Sequence, residues 1–287
     1  VMTREPYASA YRVFWIVDGD AVDYDEYLRQ VGALKRPDLE AIFHDWRLYR
    51  RAFVWVLAPQ PDGKLRPPRE QAPELYQETP IGWIPKDWCL VTLSAVCEVD
   101  SGITLGAHRR PGANAQPYLR VANVFAESID MADVAKMEAS QAEVQKLGLK
   151  SFDLLVVEGH ANIEQIARCA MVDDDAEGLL FQNHLFRLTA KKIRSRFMLY
   201  WLNSHLVRSY WRRTCSTSSG LNTINRTMLG NVPVVYPSST EQRSIEGRLR
   251  SVADYIAEER IGLSKLQMQK AGLMSDLLSG NVEVANV

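Results

Sequence analysis

The stretch EQRSIEGRLRSVADYIAEERIGLSKLQMQKAGLMSDLL, residues 241–278, carries the clearest periodicity in the chain. Stepping alternately four and three residues from Ile245 meets Leu249, Val252, Ile256, Glu259, Leu263, Leu266, Lys270, Leu273 and Leu277. Eight of these ten positions are apolar, which is a heptad seam and not a broad amphipathic face. The stretch is therefore expected to form one long coiled-coil α-helix that pairs with another helix along its length. At 1.5 Å per residue it would span about 57 Å, and Ser279-Gly280 would end it. A helix lying on its own domain would show a wider apolar stripe.

Upstream, short β-rich runs alternate with turns from Trp88 to about Pro237: residues 117–124, 152–157, 165–172, 179–188 and 232–236. This predicts a mixed α/β (α+β) domain. One helix is expected at about 195–213, and its aromatics Phe197, Tyr200, Trp201 and Trp211 fall at helical spacing, as core residues do. Between Gly178 and Thr240 there is no Asp or Glu, while Arg187, Lys191, Lys192, Arg194, Arg196, Arg208, Arg212, Arg213 and Arg226 all fall inside. Such a block points to a basic face able to sit on phosphates, unless acids such as Asp173, Asp174 and Asp175 balance it in space.

Residues 1–57 hold an apolar run at 11–17, a turn signal at Asp18-Gly19-Asp20 and a helix pattern from Pro37 through Trp55. Pro59, Pro61, Pro67, Pro68 and Pro73 then predict an extended linker. The expected divisions are an N-terminal subdomain plus linker (1–75), the α/β domain (76–238), the long helix (239–280) and a tail (281–287). An apolar fraction of 46% suits a soluble fold with a real core, and a net charge of −1 argues against coating nucleic acid by bulk attraction. Cys89, Cys97, Cys169 and Cys215 show no C-x-x-C pair and no metal-ligand spacing with the histidines, so buried free thiols are expected and no metal. No run of about 18 apolar residues occurs and the first residues carry no secretory apolar region, so the expectation is a cytoplasmic chain without membrane contact.

An ordered set of segments resembles a known family. Residues 76–88 (YQETPIGWIPKDW) are followed by LSAVCEVDSG at 93–102, PYLRVANV at 117–124 and LKSFDLLVVEG at 149–159. Then come QNHLFRL at 182–188, SSGLNTIN at 218–225, LGNVPVVYPSSTEQRSI at 229–245 and KAGLMSDLLSG at 270–280. In order and spacing, over about three quarters of the chain, they resemble the specificity (S) subunits of type I restriction-modification systems. The resemblance implies a target-recognition domain that reads double-stranded DNA at a split site. A separate methyltransferase subunit would modify adenine and a motor-nuclease subunit would cut. It also implies a half-length form, since full-length S subunits hold two recognition domains and two helices; residues 1–73 match neither. In keeping with a non-catalytic role and no cofactors, the sequence lacks a phosphate loop, a methyltransferase Asn/Asp-Pro-Pro-aromatic tetrapeptide and a G-x-S-x-G elbow.

Base reading needs donors and acceptors on loops, held in register by phosphate contacts. The candidate base contacts are Arg109, Arg110, His160, Asn162, Ser218, Ser219, Asn222 and Thr223, and the candidate phosphate contacts are Lys191, Lys192, Arg194, Arg212 and Arg213. Gln182-Asn183-His184 falls inside an expected strand and is read as structural. A stand-alone nuclease would have to use Asp153, Glu158 and His160, a loose acidic set without the usual nearby Lys; a third alternative is an assembly protein that binds no DNA. For the helix, the expectation is an antiparallel homodimer. One register faces Glu259 with Lys270, Val252 with Leu277, Ile256 with Leu273 and Leu263 with Leu266. A register shifted by one heptad faces Ile245 with Leu277 but sets Glu259 against Leu263 and Lys270 against Val252.

Overall fold

In the computed structural model, residues 15–17, 20–22, 66–67, 69, 71–79, 81–218 and 220–279 are described. The chain divides into two units, Val1–Tyr49 and Arg50–Val287. In the first, β1 (Trp15–Val17) pairs antiparallel with β2 (Asp20–Val22), as the apolar run and its turn signal suggest. The helix expected from Pro37 through Trp55 lies outside the described residues, as does the tail from Gly280.

The second unit runs β3 (Tyr76–Thr79), β4 (Gly82–Pro85), β5 (Cys89–Thr92), β6 (Cys97–Ser101), β7 (Ala115–Leu119), β8 (Ala135–Glu138), α1 (Gln141–Leu147) and β9 (Leu154–Val157). It continues with β10 (Gly159–His160), β11 (Cys169–Met171), β12 (Leu180–Phe181), β13 (Leu185–Ala190), α2 (Ser195–Asn203) and α3 (His205–Thr214). Last come β14 (Ser216–Ser218), β15 (Leu221–Thr223), α4 (Arg226–Gly230), β16 (Pro233–Tyr236) and α5 (Ser239–Leu278). The expected mixture of strands and helices, ending on one long helix, is what forms.

The central sheet has the order β11-β9-β13-β6, all antiparallel. Its strand β9 reads Leu-Leu-Val-Val and is covered on both faces, every residue at 0% exposure. Because strand side chains alternate, Leu154 and Val156 enter one apolar cluster with Phe197, Trp201 and Trp211, while Leu155 and Val157 enter a second with Leu119 and Phe181. The strand is thus the shared wall of two cores. A smaller sheet, β12-β7-β8, lies on the second side.

The single helix expected at about 195–213 is two helices. Asn203, the last residue of α2, ties the helix end to β11: its amide donates to the Cys169 carbonyl (2.8 Å) and to the Leu199 carbonyl (3.1 Å), and its Oδ1 accepts from the Cys169 N–H (3.0 Å). Ser204 then turns extended (ψ 157°) and caps α3, its Oγ accepting from the Val207 N–H. Phe197, Tyr200, Trp201 and Trp211 are all core, so the bend lets both helices bury their aromatics. The cysteines are all free; Cys97 and Cys169 are buried as expected, but Cys89 is exposed and Cys215 half-buried. Among the described residues no helix is long and apolar enough to cross a membrane.

The helix α5 is docked at its foot and bare beyond it. Ser238 caps it, accepting from the Glu241 N–H. Gln242, Ile245, Glu246 and Leu249 are buried, Ile245 at 0% exposure in the cluster that holds Phe197 and Trp201. Arg194 Nε donates to both oxygens of Glu246 (2.8 and 2.9 Å), and the Phe197 N–H adds a third bond. Glu241 accepts from the Trp88 indole (3.1 Å) and from Arg66 (3.0 Å), so the end of the proline-rich segment is fastened here. The seam expected to face another helix from Ile245 onward is therefore corrected: Ile245 and Leu249 belong to the chain's own core. From Ile256 the apolar seam residues are exposed: Ile256, Leu263, Leu266, Leu273 and Leu277.

Candidate nucleic-acid interface

Two candidate loops some sixty residues apart meet in a three-stranded sheet, β10-β15-β14. Gly159 faces Thr223 and His160 faces Asn222, which in turn faces Thr217. Gly159 suits a close approach of the strands, since a Cβ there would lie 3.1 Å from Thr223 Cγ2 and 3.3 Å from the Asn222 carbonyl, tight enough to push its neighbours by a few tenths of an ångström. Gly220, at φ +78°, supplies the left-handed residue before β15. Ser218 ends β14, and Ser219 lies outside the described residues.

The candidates have different occupations. Asn222 is buried and its amide donates to the carbonyls of His160 (3.2 Å) and Ala161 (2.9 Å), so it holds the neighbouring loop in place. Asn162 Oδ1 accepts from the Glu164 N–H, and the Asn162 N–H donates to His160 Nδ1 (3.0 Å). The Asn162 carbonyl lies 3.3 Å from the same His160 nitrogen, so the imidazole is held against its own loop.

Beside this sheet opens a cleft of about 460 Å³ lined by Glu158, His184, Thr223, Asn225 and the apolar Val121, Leu221, Ile224 and Met228. Its floor is fixed by backbone bonds: the Glu158 N–H donates to the His184 carbonyl (3.0 Å) and the Ile224 N–H to the Glu158 carbonyl (2.9 Å). Across it His184 Nδ1 sits 2.6 Å from Glu158 Oε2. Sequence reading placed His184 among structural residues and Glu158 only in the loose acidic set, and it passed over Asn225. Nothing in their spacing shows that the turn before β13 lands beside the end of β9.

The basic block is partly balanced by acids far away in sequence. Arg187 pairs with Asp100, Lys191 with Glu98, Arg194 with Glu246 and Arg212 with Glu164. Asp173, Asp174 and Asp175 form no ion pair with the block among the described residues, but they line one pocket with its Arg196. Arg208 donates to the carbonyls of Ile166 and Ala167. Of the candidate phosphate contacts, Lys192 and Arg213 are exposed and have no acidic partner among the described residues; the same holds for Arg226, next to Asn225 in the cleft. Arg213 and Arg226 thus bracket the β14–β15 hairpin along the chain.

Arg109 is forked onto Glu143 (2.6 and 2.9 Å) and also donates to the Glu138 carbonyl. That fork, with bonds from Ser140, holds the Glu143 carboxyl down at about 2. Arg110, its neighbour, is exposed. The nuclease set does not assemble. Asp153 precedes β9 and Glu158 follows it, a separation of roughly 16 Å along a strand, and Asp153 is buried, accepting from Thr189 Oγ1 and the Lys150 N–H. Among the described residues no group of three His, Cys, Asp or Glu could hold a metal ion.

No protein-family model matches the chain. It is 29% identical over 170 residues to the type I restriction enzyme StySPI specificity subunit of Salmonella potsdam, covering 58% of this chain and 36% of that one. It is 26% identical over 214 residues to the putative type I restriction enzyme MjaX specificity subunit of Methanocaldococcus jannaschii, covering 73% and 49%. Among solved structures, a chain from the assembly of a type I R-M system superposes with a TM-score of 0.54 at 17% identity, over 90% of this chain and 60% of that one. The HsdS subunit from Thermoanaerobacter tengcongensis gives 0.52 at 15%, over 90% and 56%. The chain thus spans about half the length, or less, of the curated relatives it matches.

Proposed function

We propose that this chain, a relative of the type I restriction specificity subunits, reads double-stranded DNA and leaves the chemistry to partners. The carrying observation is the β10-β15-β14 sheet, which gathers His160, Asn162, Ser218, Asn222 and Thr223 from two distant loops beside a cleft whose few polar groups sit in a mostly apolar wall. In this reading Asn222 and Asn162 shape the surface, while His160 and Thr223 present groups to base edges. Arg213 and Arg226, joined by Arg110 and Lys192, bind phosphates and set register. A methyltransferase subunit and a motor-nuclease subunit then act at the site the chain selects.

The bare part of α5 pairs antiparallel with a second copy as a coiled coil. Burial of Ile245 and Leu249 favours the register that uses only residues 252–277, in which Glu259 faces Lys270. The shifted register needs Ile245 opposite Leu277, and Ile245 is already occupied. Two readers fixed to one rod would select a split, palindromic site.

The test is duplex binding by the full chain across a salt series, followed by mapping of methylated sites when it is co-expressed with a type I methyltransferase subunit. The expected results are a steep loss of affinity with salt and a split palindromic motif. Self-association without salt-sensitive DNA binding would leave only an assembly protein.

A further inference from the structure

The cleft beside the reading sheet holds an acid where a DNA-binding surface would ordinarily place a cation. Glu158 is held there by two segments: its N–H donates to the turn before β13, and on the other side its carbonyl accepts from the Ile224 N–H while Gly159 pairs with the adjacent Thr223. Its side chain is 28% exposed. His184 Nδ1–H donates to Oε2, which orients the carboxylate, and Oε1 has no hydrogen-bond partner among the described residues. This is a fixed acceptor at the mouth of a cleft of about 460 Å³ whose remaining wall is mostly apolar.

A carboxylate repels phosphate, so it gains nothing from the DNA backbone. It gains from an exocyclic amine, which the major-groove edges of cytosine (N4) and adenine (N6) offer and those of guanine and thymine do not. Resting on the DNA-reading function proposed above, the geometry points to Glu158 and His184 as a base-reading pair that selects an amino-bearing base, cytosine or adenine, at one position of the target. Glu158 accepts from the amine. His184 is a positioning residue that holds the acceptor at its angle, and Arg226, one residue beyond Asn225, anchors the strand being read.

The experiment selects bound duplexes from a randomised library with the wild-type chain, E158A, E158Q and H184A, each checked by thermal melting. The wild type shows cytosine or adenine at one position. E158A loses that preference by on the order of ten-fold and binds a scrambled duplex more tightly, because a charge that repels phosphate is gone. H184A blurs the same position and no other. Should E158A fail to fold, E158Q carries the test at a cytosine, because an amide that donates and accepts fits adenine N6 and N7 instead, and H184A carries it at an adenine. A folded E158A that keeps the wild-type preference at every position, an E158Q that keeps cytosine, or an H184A that leaves an adenine unblurred overturns the pair. A wild-type chain that binds duplexes without any preference overturns the sequence-reading function beneath it.

Discussion

The foot of α5 and its outer length share one heptad pattern and have opposite fates. Ile245 and Leu249 are buried in the chain's own core, whereas Leu263, Leu266 and Leu273 are more than half exposed. The flanking polar residues make the difference. At the foot, Glu241, Gln242 and Glu246 each find buried partners in Trp88, Arg66, Arg194 or the backbone. Farther out, Glu259 and Lys270 lie exposed on the bare helix. An apolar stripe specifies that something covers it, and the polar groups beside it specify what.

The largest expected effect that could break this contrast is at Ile245. Ile245→Ala should cost about 2–5 kcal/mol of folding stability by leaving a core cavity, while Leu266→Ala should leave the melting of the isolated chain unchanged and weaken self-association. Denaturant unfolding and sedimentation separate the two, and equal effects of both variants on unfolding would erase the distinction. Next, Glu246→Ala should cost roughly 1–3 kcal/mol, because it leaves the buried Phe197 N–H unsatisfied and frees the exposed Arg194 side chain; a cost near zero would mean the foot is not clamped. Along the bare length, Glu259→Lys should weaken dimerisation by about thirty-fold, on the order of 1 kcal/mol at each of two symmetric layers. The double variant Glu259→Lys with Lys270→Glu should restore it, and failure of that rescue would exclude the register.

The smallest effect concerns a surface fork for comparison with the foot. The Glu143 carboxyl lies below its ordinary 4.5, at about 2, chiefly through Arg109. A depressed carboxylate contributes stability that is complete above its unfolded value and is lost as pH falls from about 4.5 through about 2. Arg109→Ala should move the Glu143 titration upward, measured by side-chain NMR, and lower stability at neutral pH by at most about 1 kcal/mol, since the fork is only partly buried.

Much of the fold could be read along the chain. The runs at 152–157 and 232–236 became strands, the aromatics of 195–213 became core, and the long helix formed over nearly the expected span. The break at Asn203-Ser204 was missed because an apolar period masks a local competitor: the Asn203 side chain bonds a strand 34 residues away as well as the Leu199 carbonyl of its own helix. Of the candidate site, the loops at 158–162 and 218–223 were legible as polar turns, but not that they pair with each other. Nor was the clasp of Glu158 by His184, which depends on the turn before β13 closing over the end of β9.

What the sequence determined by itself is whatever depends on neighbouring residues: the heptad period of the long helix, the fully apolar β9, the polar turns and the clustering of cations from Arg187 to Arg226. What the tertiary structure decided is who answers each group. It assigned Ile245 to the core, gave Arg194 to Glu246 and Arg212 to Glu164, and put a carboxylate beside the reading sheet. The reason is physical: periodicity is local, whereas burial and charge pairing depend on partners that only the folded chain brings within a few ångströms.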